Sequence, residues 1–479
     1  MGRQSCDDDR RRQKSQRRPG PNSHLKTPRR DSSRVCTKRL FPLYGGREPL
    51  YYTGSRPPFG RVTLYFPHLF AELEKQMMHK TTARVALLGL AAIGAVGQRG
   101  LADVAQTSSQ PSGMPIFQAD PSWPKLPNGW VVGVVSSVAV DRQDHVWILH
   151  RPRTVQEGLK DRAAPPVLEF DADGRFVNAW GGSAQGYDWP DNEHGITPDS
   201  KDNVWIGGSG ATSTPTPRSD DMLLKFTNRG KFLMQIGGRT QNHGNADTKN
   251  LNRPADAFFY SKGNEIFVAD GYGNRRVVVF DADTGAFKRM WGAFGNTAED
   301  APPPPARGTG GGRGQAGPAL DTEGPGSQQF SSPVHSVKIS NDDLVYVADR
   351  PNRRIQVFTP AGKYVTQAFI NRGGPSNGSA AGLAFSPDPQ QQFLYVADYG
   401  NSHVLVLNRK TLQVLYQFGG LSAKPGDFRG PHHIAVDSKG NLYVAEVAPG
   451  NRAQKFLLKG TSPTPPPNAL TPLQLSGTQ

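Results

Sequence analysis

Three histidines of this chain could together bind a metal ion. Each stands where a loop enters a short segment typical of a β-strand: His194 in E-H-G-I, His335 in V-H-S-V and His432 in P-H-H-I. Three neutral imidazoles that leave one coordination position open form the ligand set of a catalytic zinc. Because the three residues are far apart in the chain, the fold must bring them to one point.

A repeated string of residues indicates which fold this is. V-A-D-G-Y-G-N-R-R-V-V-V-F at residues 268–280 returns in modified form at residues 347–358 and 396–407. Each copy reads as two short strands, rich in β-branched residues, joined by a tight turn of Gly, Pro and Asn. A sheet unit of this kind cannot bury both faces alone, and a recurring unit of about 40 residues predicts an all-β β-propeller.

Six such units run from residue 136 to residue 458, and they resemble NHL repeats. The sixth unit has three strand-like segments, so it needs a fourth from elsewhere to close the ring. Residues 116–119 are the obvious donor, which predicts a six-bladed propeller over residues 115–458. The three histidines fall in blades two, four and six, about 120° apart in a six-fold ring, so their rings should meet at the channel axis.

The basic charge of the chain lies mainly before the repeats. The net charge is +15, and residues 1–77 hold 17 Lys+Arg against 7 Asp+Glu, which accounts for +10 of it. Residues 1–76 show charge and turn formers without apolar periodicity, which predicts a disordered leader. One interpretation is a nucleic-acid-binding arm, and the favoured one is an extension upstream of the true translation start.

That preference rests on the segment at residues 77–105. Met77 and Met78 precede a basic stretch, an apolar run at residues 85–96 and then small residues, which is the order of a secretory signal peptide. The apolar run is short for a bilayer span, although a buried helix or a membrane anchor is the alternative. We therefore expect a secreted or periplasmic protein without a stable membrane anchor. The Pro-rich tail at residues 459–479 is predicted to be disordered.

The histidine loops resemble those of the peptidyl-α-hydroxyglycine α-amidating lyase family. In that family the zinc ligands of a six-bladed propeller fall in P-H-G-, P-H-S- and P-H-D-type loops, which match His194, His335 and His432. The resemblance covers most of residues 123–458, and it implies a carbon–nitrogen lyase. Such an enzyme cleaves a carbinolamide, the peptidyl α-hydroxyglycine, to a peptide amide and glyoxylate.

The same resemblance implies three catalytic residues. The family's D-G-Y-x-N-x-R-I turn matches residues 270–277 and gives the role of general base to Tyr272. Its F-H-R motif corresponds to L-H-R here and gives an active-site arginine at Arg151. A second arginine, in A-D-R-x-N-x-R-I-Q, corresponds to Arg350. The two guanidinium groups would hold the substrate carboxylate by paired hydrogen bonds.

This chain departs from the family in its cysteines. Gly273 and Val357 stand where the family's cysteines would be expected, so its disulfides cannot form. The only two cysteines are Cys6 and Cys36, both in the leader. The resemblance is therefore to a bacterial-type lyase without disulfides, held by its core alone.

A second departure concerns calcium. The family's structural calcium depends on an Asp directly after the third zinc ligand, and this chain has His433 there. Calcium is therefore doubtful, and His433 could compete with His432 for the zinc.

Two other functions stay open. A gluconolactonase-like hydrolase is also six-bladed, but its site uses Glu, Asp and Asn around calcium. A non-catalytic NHL propeller that binds a partner is the other alternative. Nucleic acid is not expected as a partner, because the repeats are nearly charge-balanced. The sequence leaves the physiological substrate and the oligomeric state undetermined, as well as the existence of a monooxygenase that would supply the substrate.

Overall fold

The computed structural model describes residues 113–213, 215–300, 323–373, 378–467 and 469. The predictions for the leader at residues 1–76 and for the signal-like segment at residues 77–105 lie outside the described residues. Within these described ranges, no helix is long and apolar enough to cross a membrane.

The described residues form six four-stranded antiparallel sheets, which are the six blades of a β-propeller, and the predicted all-β fold is confirmed. Three short 3₁₀ segments lie in the connections, at Pro152–Thr154, Glu157–Arg162 and Ala293–Gly295. A two-stranded ribbon, Ala211–Thr212 and Arg218–Ser219, extends from blade two. The strands of the blades, from the channel outward, are: blade one, Val134–Val140, Val146–Arg151, Val167–Phe170 and Phe176–Trp180; blade two, Glu193–Pro198, Asn203–Gly208, Met222–Thr227 and Phe232–Gly237; blade three, Asp256–Tyr260, Glu265–Asp270, Arg276–Asp281 and Phe287–Trp291; blade four, Val334–Ile339, Val345–Asp349, Arg354–Phe358 and Tyr364–Phe369; blade five, Gly382–Phe385, Phe393–Asp398, His403–Asn408 and Val414–Phe418; blade six, Pro431–Val436, Leu442–Glu446, Arg452–Ser462 and Met114–Asp120.

The ring closes through strands from both ends of the described chain. The first strand of each blade contacts the first strand of the next, and that of blade six contacts that of blade one. Met114–Asp120 pairs antiparallel with Arg452–Ser462 as the outer strand of blade six, so the predicted closure by residues 116–119 is confirmed. The predicted start of the disordered tail at residue 459 is wrong, because this pairing extends the last strand to Ser462.

Each blade packs on the next through one apolar cluster. Between blades one and two, Trp147 and Leu149 meet Ile206 and Phe226. Five similar clusters join the other neighbouring blades around the ring. Side chains of a strand alternate between its two faces, so each blade contributes to the cluster on either side of it. Full burial of such a side chain stabilises the fold by about 1.5–3 kcal/mol.

The repeated Asp–Asn–Arg string serves the fold as a buried clip. In blade three, the Asp270 carboxylate accepts hydrogen bonds from Asn274 Nδ2 and Arg276 Nε, each at 2.8 Å. Both charged groups of this ion pair are fully buried. The equivalent residues of blade four are Asp349, Asn352 and Arg354. The clip fixes the turn between the second and third strands, and the residues just after the Asp are left to face the channel region.

Candidate active site

Three β-bulges lie at the positions of the three histidines. In the innermost strands of blades two, four and six, the register shifts across His194, across His335 and across the His432–His433 pair, so each strand holds one extra residue there. A bulge changes the direction of a side chain relative to the regular pleat, and bulges are frequent beside active sites. Each histidine therefore lies at a departure from the regular pleat of its strand.

The structure brings the three histidines together. Their ring centroids lie 4.5–5.1 Å apart. One ring nitrogen from each ring lies within 4.8 Å of the other two. All three residues are buried. The three imidazoles therefore surround one point on the channel axis, as the alternation of blades two, four and six requires.

A backbone carbonyl of the following blade fixes each ring. The Nδ1–O distance is 2.7 Å in all three cases, and the pairs are His194 with Ala255, His335 with Ala381, and His432 with Ser136. A carbonyl oxygen can only accept, so each Nδ1 must carry the hydrogen and each Nε2 keeps its lone pair. Hydrogen bonds of this kind orient the histidine ligands of metal sites in proteins.

The electrostatics of the site keep these rings neutral. Burial lowers the pKa of each of the three histidines well below its ordinary value, and the neighbouring imidazoles and arginines act in the same direction. Neutral imidazoles with free Nε2 lone pairs are the form that binds zinc. The residues present therefore fit a three-histidine zinc site with an open position.

The predicted base, Tyr272, lies among these nitrogen atoms. Its hydroxyl is 2.9 Å from Nε2 of His194 and 3.3 Å from Nε2 of His335. The turn that carries it lies directly on blade four, because a Cβ on Gly271 would overlap the carbonyl oxygen of Val334. Only glycine permits this close approach, which places the tyrosine beside the histidine that follows Val334.

The predicted Arg151 lies at the edge of the same site. Its Nε donates a hydrogen bond to the carbonyl oxygen of Glu193, the residue before His194, at 2.8 Å. Burial lowers the pKa of Arg151, and the nearby Tyr272 hydroxyl opposes that effect. The side chain is thus tied to the strand that carries the first histidine.

The predicted Arg350 lies between two aromatic rings. Its guanidinium carbon is 6.0 Å from the ring centroid of Tyr272 and 5.0 Å from that of Tyr399. Its Nε is buried and has no hydrogen-bond partner among the described residues. A guanidinium in this state has N–H groups available for an anion such as a carboxylate. Sequence reasoning missed Tyr399, although it follows V-A-D at the position that Arg350 has in blade four.

The residues around His433 do not fit calcium. His433 Nδ1 lies 2.8 Å from the Ser136 carbonyl oxygen, and its Nε2 is 4.0 Å from the Asp256 carboxylate. That carboxylate already accepts hydrogen bonds from Lys338 Nζ at 2.6 Å and from the Ser336 hydroxyl at 2.7 Å. Calcium needs six to eight oxygen ligands, and here one carboxylate is paired with an ammonium group. The group with metal-ligand spacing contains His432 and not His433.

A second group with metal-ligand spacing lies in blade one and consists of Asp141, His145 and Glu169. Sequence reasoning missed this group. Asp141 accepts a hydrogen bond from the Trp147 indole at 2.9 Å and from two backbone N–H groups of its own turn. Asp199 makes the same bond with Trp205 in blade two, at 3.0 Å. Asp141 is therefore explained as a turn residue of the repeat.

His150, which precedes Arg151, gives a pH-dependent prediction. Its Nδ1 accepts the Gly133 N–H at 3.2 Å, its Nε2 donates to the Pro165 carbonyl at 3.0 Å, and burial lowers its pKa to about 4. As the pH falls, His150 is therefore protonated near pH 6.5 in the unfolded chain but only near pH 4 in the folded chain. The stability that neutral His150 confers is complete above pH 6.5 and is lost as the pH falls toward 4, by roughly 3 kcal/mol.

The measurement is the free energy of unfolding of wild type and His150→Gln at pH 7 and at pH 4. The wild type should lose roughly 3 kcal/mol more than the variant over this range. The histidines of the candidate site titrate in both proteins and cancel in the difference. Equal losses in the two proteins would show that His150 is not held neutral by the fold.

Fold and repeats together define a six-bladed NHL-type β-propeller, and its channel holds three converging histidines. No family model matches the chain. Human NHL repeat-containing protein 3 is 26% identical over 353 residues, which cover 71% of this chain and 84% of that protein. Peptidyl-alpha-hydroxyglycine alpha-amidating lyase 1 of Drosophila melanogaster is 26% identical over 373 residues, 70% of this chain and 59% of that protein. Probable peptidyl-alpha-hydroxyglycine alpha-amidating lyase pgal-1 of Caenorhabditis elegans is 23% identical over 341 residues, 68% of this chain and 83% of that protein. The relatives of this chain are thus both NHL repeat proteins and amidating lyases.

Proposed function

We propose that this chain is a zinc-dependent lyase that cleaves a carbinolamide, a peptidyl α-hydroxyglycine or a related small molecule, to an amide and glyoxylate. The observation that carries the proposal is the position of the Tyr272 hydroxyl, 2.9 Å from His194 Nε2 and 3.3 Å from His335 Nε2. A phenol beside nitrogen atoms that would hold a metal is placed to exchange a proton with a substrate oxygen there. The similarity to named amidating lyases supports the same reaction.

His194, His335 and His432 would hold the zinc through their Nε2 atoms. Zinc, when bound, supplies a Lewis acid that polarises the carbinol or carboxylate oxygen of the substrate. Tyr272 would accept the proton of the carbinol hydroxyl. The electrons of that O–H bond would then form the C=O bond of glyoxylate and the C–N bond would break. The amide nitrogen would gain the proton that Tyr272 had accepted, which returns the tyrosine to its starting form.

Arg350 and Arg151 would hold the carboxylate of the substrate. The Nε of Arg350 is buried without a hydrogen-bond partner among the described residues, and a carboxylate would supply one. Arg151 uses its Nε on the Glu193 carbonyl, which leaves the other N–H groups of the guanidinium for the substrate. Binding the carboxylate would also orient the carbinol carbon toward Tyr272.

We also propose that the protein is exported, to the periplasm or the medium, on the basis of the signal-like segment at residues 77–105.

A second candidate function is a non-catalytic propeller that binds a partner. The observation in its favour is the similarity to human NHL repeat-containing protein 3, over 84% of that protein's length. On this alternative the three histidines would be buried channel residues without a metal.

Metal analysis of the purified protein, combined with a glyoxylate-release assay on a peptidyl α-hydroxyglycine, tests these proposals. The lyase proposal predicts about one zinc per chain. It also predicts that one glyoxylate is released for each substrate molecule consumed. Zinc without glyoxylate would contradict the substrate class. Calcium in place of zinc would favour a hydrolase, and a protein without bound metal would favour the binding propeller.

A further inference from the structure

One position of the repeat recurs beside the candidate site in three successive blades. The turn after V-A-D carries Tyr272 in blade three, Arg350 in blade four and Tyr399 in blade five. The Asp–Asn clips described above fix these turns, including that of Asp398 and Asn401 in blade five. The repeat itself does not require a tyrosine at position 399, because the residue at the equivalent position differs from blade to blade.

Tyr399 contacts two groups of the candidate site. Its ring centroid lies 5.0 Å from the guanidinium carbon of Arg350 and 6.4 Å from the ring of His432, at an interplanar angle of 73° to the latter. Tyr272 lies on the other side of Arg350, at 6.0 Å. The guanidinium is therefore flanked by two aromatic rings within the range of cation–π attraction.

A glycine completes this enclosure of Arg350. A Cβ on Gly378 would lie 2.9 Å from the Arg350 Cγ, so the backbone at this glycine lies against the arginine stem. The Gly400 N–H donates a hydrogen bond to the Gly378 carbonyl at 3.0 Å, which joins this backbone to the turn of Tyr399. The arginine stem and the tyrosine turn are thus linked by direct contacts.

Within the described part of the chain, packing contacts orient the Arg350 side chain. Neighbouring Arg354 forms a buried ion pair with Asp349, and Arg151 donates to a carbonyl. The Arg350 Nε, in contrast, has no hydrogen-bond partner among the described residues. An arginine without such a bond keeps its side-chain direction only if neighbouring groups restrict it.

We propose that Tyr399 is a positioning residue, whose ring holds the Arg350 guanidinium in place for the substrate carboxylate. This inference rests on the proposed lyase function for its substrate, but the binding of a carboxylate by Arg350 can be measured without turnover. The contact that carries this inference is the one between the Tyr399 ring and the Arg350 guanidinium.

The experiment compares Tyr399→Leu with Tyr399→Phe in the zinc-loaded full chain, and glyoxylate is the probe. Calorimetry should show glyoxylate affinity about tenfold weaker in Tyr399→Leu and within about twofold of wild type in Tyr399→Phe, as expected for loss or retention of a cation–π contact. Zinc content should be unchanged in both. If Tyr399→Leu does not fold, Tyr399→Gln takes its place.

A double variant shows whether Tyr399 acts through Arg350. Tyr399→Leu should weaken glyoxylate binding little further when it is added to Arg350→Ala, because residues that act as one unit are not additive. In a lyase assay the same variant should raise KM more than it lowers kcat. Full additivity, or a Tyr399→Phe variant as weak as Tyr399→Leu, would overturn the proposal.

The outcomes separate this inference from the proposed function. A wild type that binds glyoxylate through Arg350 and Tyr399 but releases none from a peptidyl α-hydroxyglycine would contradict the lyase and leave Tyr399 as proposed. A zinc-loaded wild type without measurable glyoxylate binding would overturn the role of Tyr399, whatever the reaction.

Discussion

His335→Ala should remove bound zinc and lyase activity together. The variant would keep only His194 and His432 as ligands, and two imidazoles hold zinc poorly. Even the loss of a hydrogen bond behind a ligand weakens metal affinity by about 10- to 100-fold, so loss of a ligand should exceed that. Zinc per chain, measured after dialysis, should fall from about one to near zero, and glyoxylate release should fall with it.

His433→Ala is the matched control for this experiment. His433 is a buried histidine next to His432 and shares the Ser136 carbonyl with it, but it lies outside the group with metal-ligand spacing. The control should keep about one zinc per chain. A folded His335→Ala that still holds one zinc per chain would show that the metal lies elsewhere. Loss of zinc in the control alone would assign the third ligand to His433.

The fold was predictable because one strand pattern occurs six times in the chain. The alternation of side chains within each strand then fixes which of them enter the clusters between blades. The missing fourth strand of blade six could be inferred from the count alone, and Met114–Asp120 supplies it. The end of the last strand was not predictable, because pairing with the N-terminal strand, and not local sequence, extends it to Ser462.

The candidate site was predictable where it follows the repeat and not where it depends on contacts between blades. His194, His335 and His432 occupy equivalent positions, so a six-fold ring must bring them together. The ion pair of Asp256 and Lys338 joins residues 82 apart in the chain, across the first strands of blades three and four. This ion pair depends on how blade three is positioned against blade four, and the sequence of either blade alone does not show that position. The contact of Tyr399 with Arg350 has the same origin.

The three bulges belong to the same class of feature. The sequence places each histidine at the start of a strand, but it does not show that the pairing is irregular there. The extra residue at each of these places becomes visible only when the strand partners are known. A bulge changes the direction of a side chain relative to the regular pleat, so the exact placement of these histidines depends on pairing and not on the repeat alone.

Tyr272→Phe should keep the zinc and lose turnover by a factor of about 10²–10⁴, the usual contribution of a general base. The substitution removes the hydroxyl between His194 and His335 and keeps the ring, which packs edge-on against His194 with centroids 4.7 Å apart and lies beside Arg350. Zinc content, glyoxylate binding and thermal midpoint should therefore stay close to wild type while kcat falls. Tyr364→Phe is the control, because it removes a hydroxyl from the outer strand of blade four and should leave kcat close to wild type. A fully active Tyr272→Phe enzyme would show that another group takes the carbinol proton, and the tyrosine would then be a packing residue of the site.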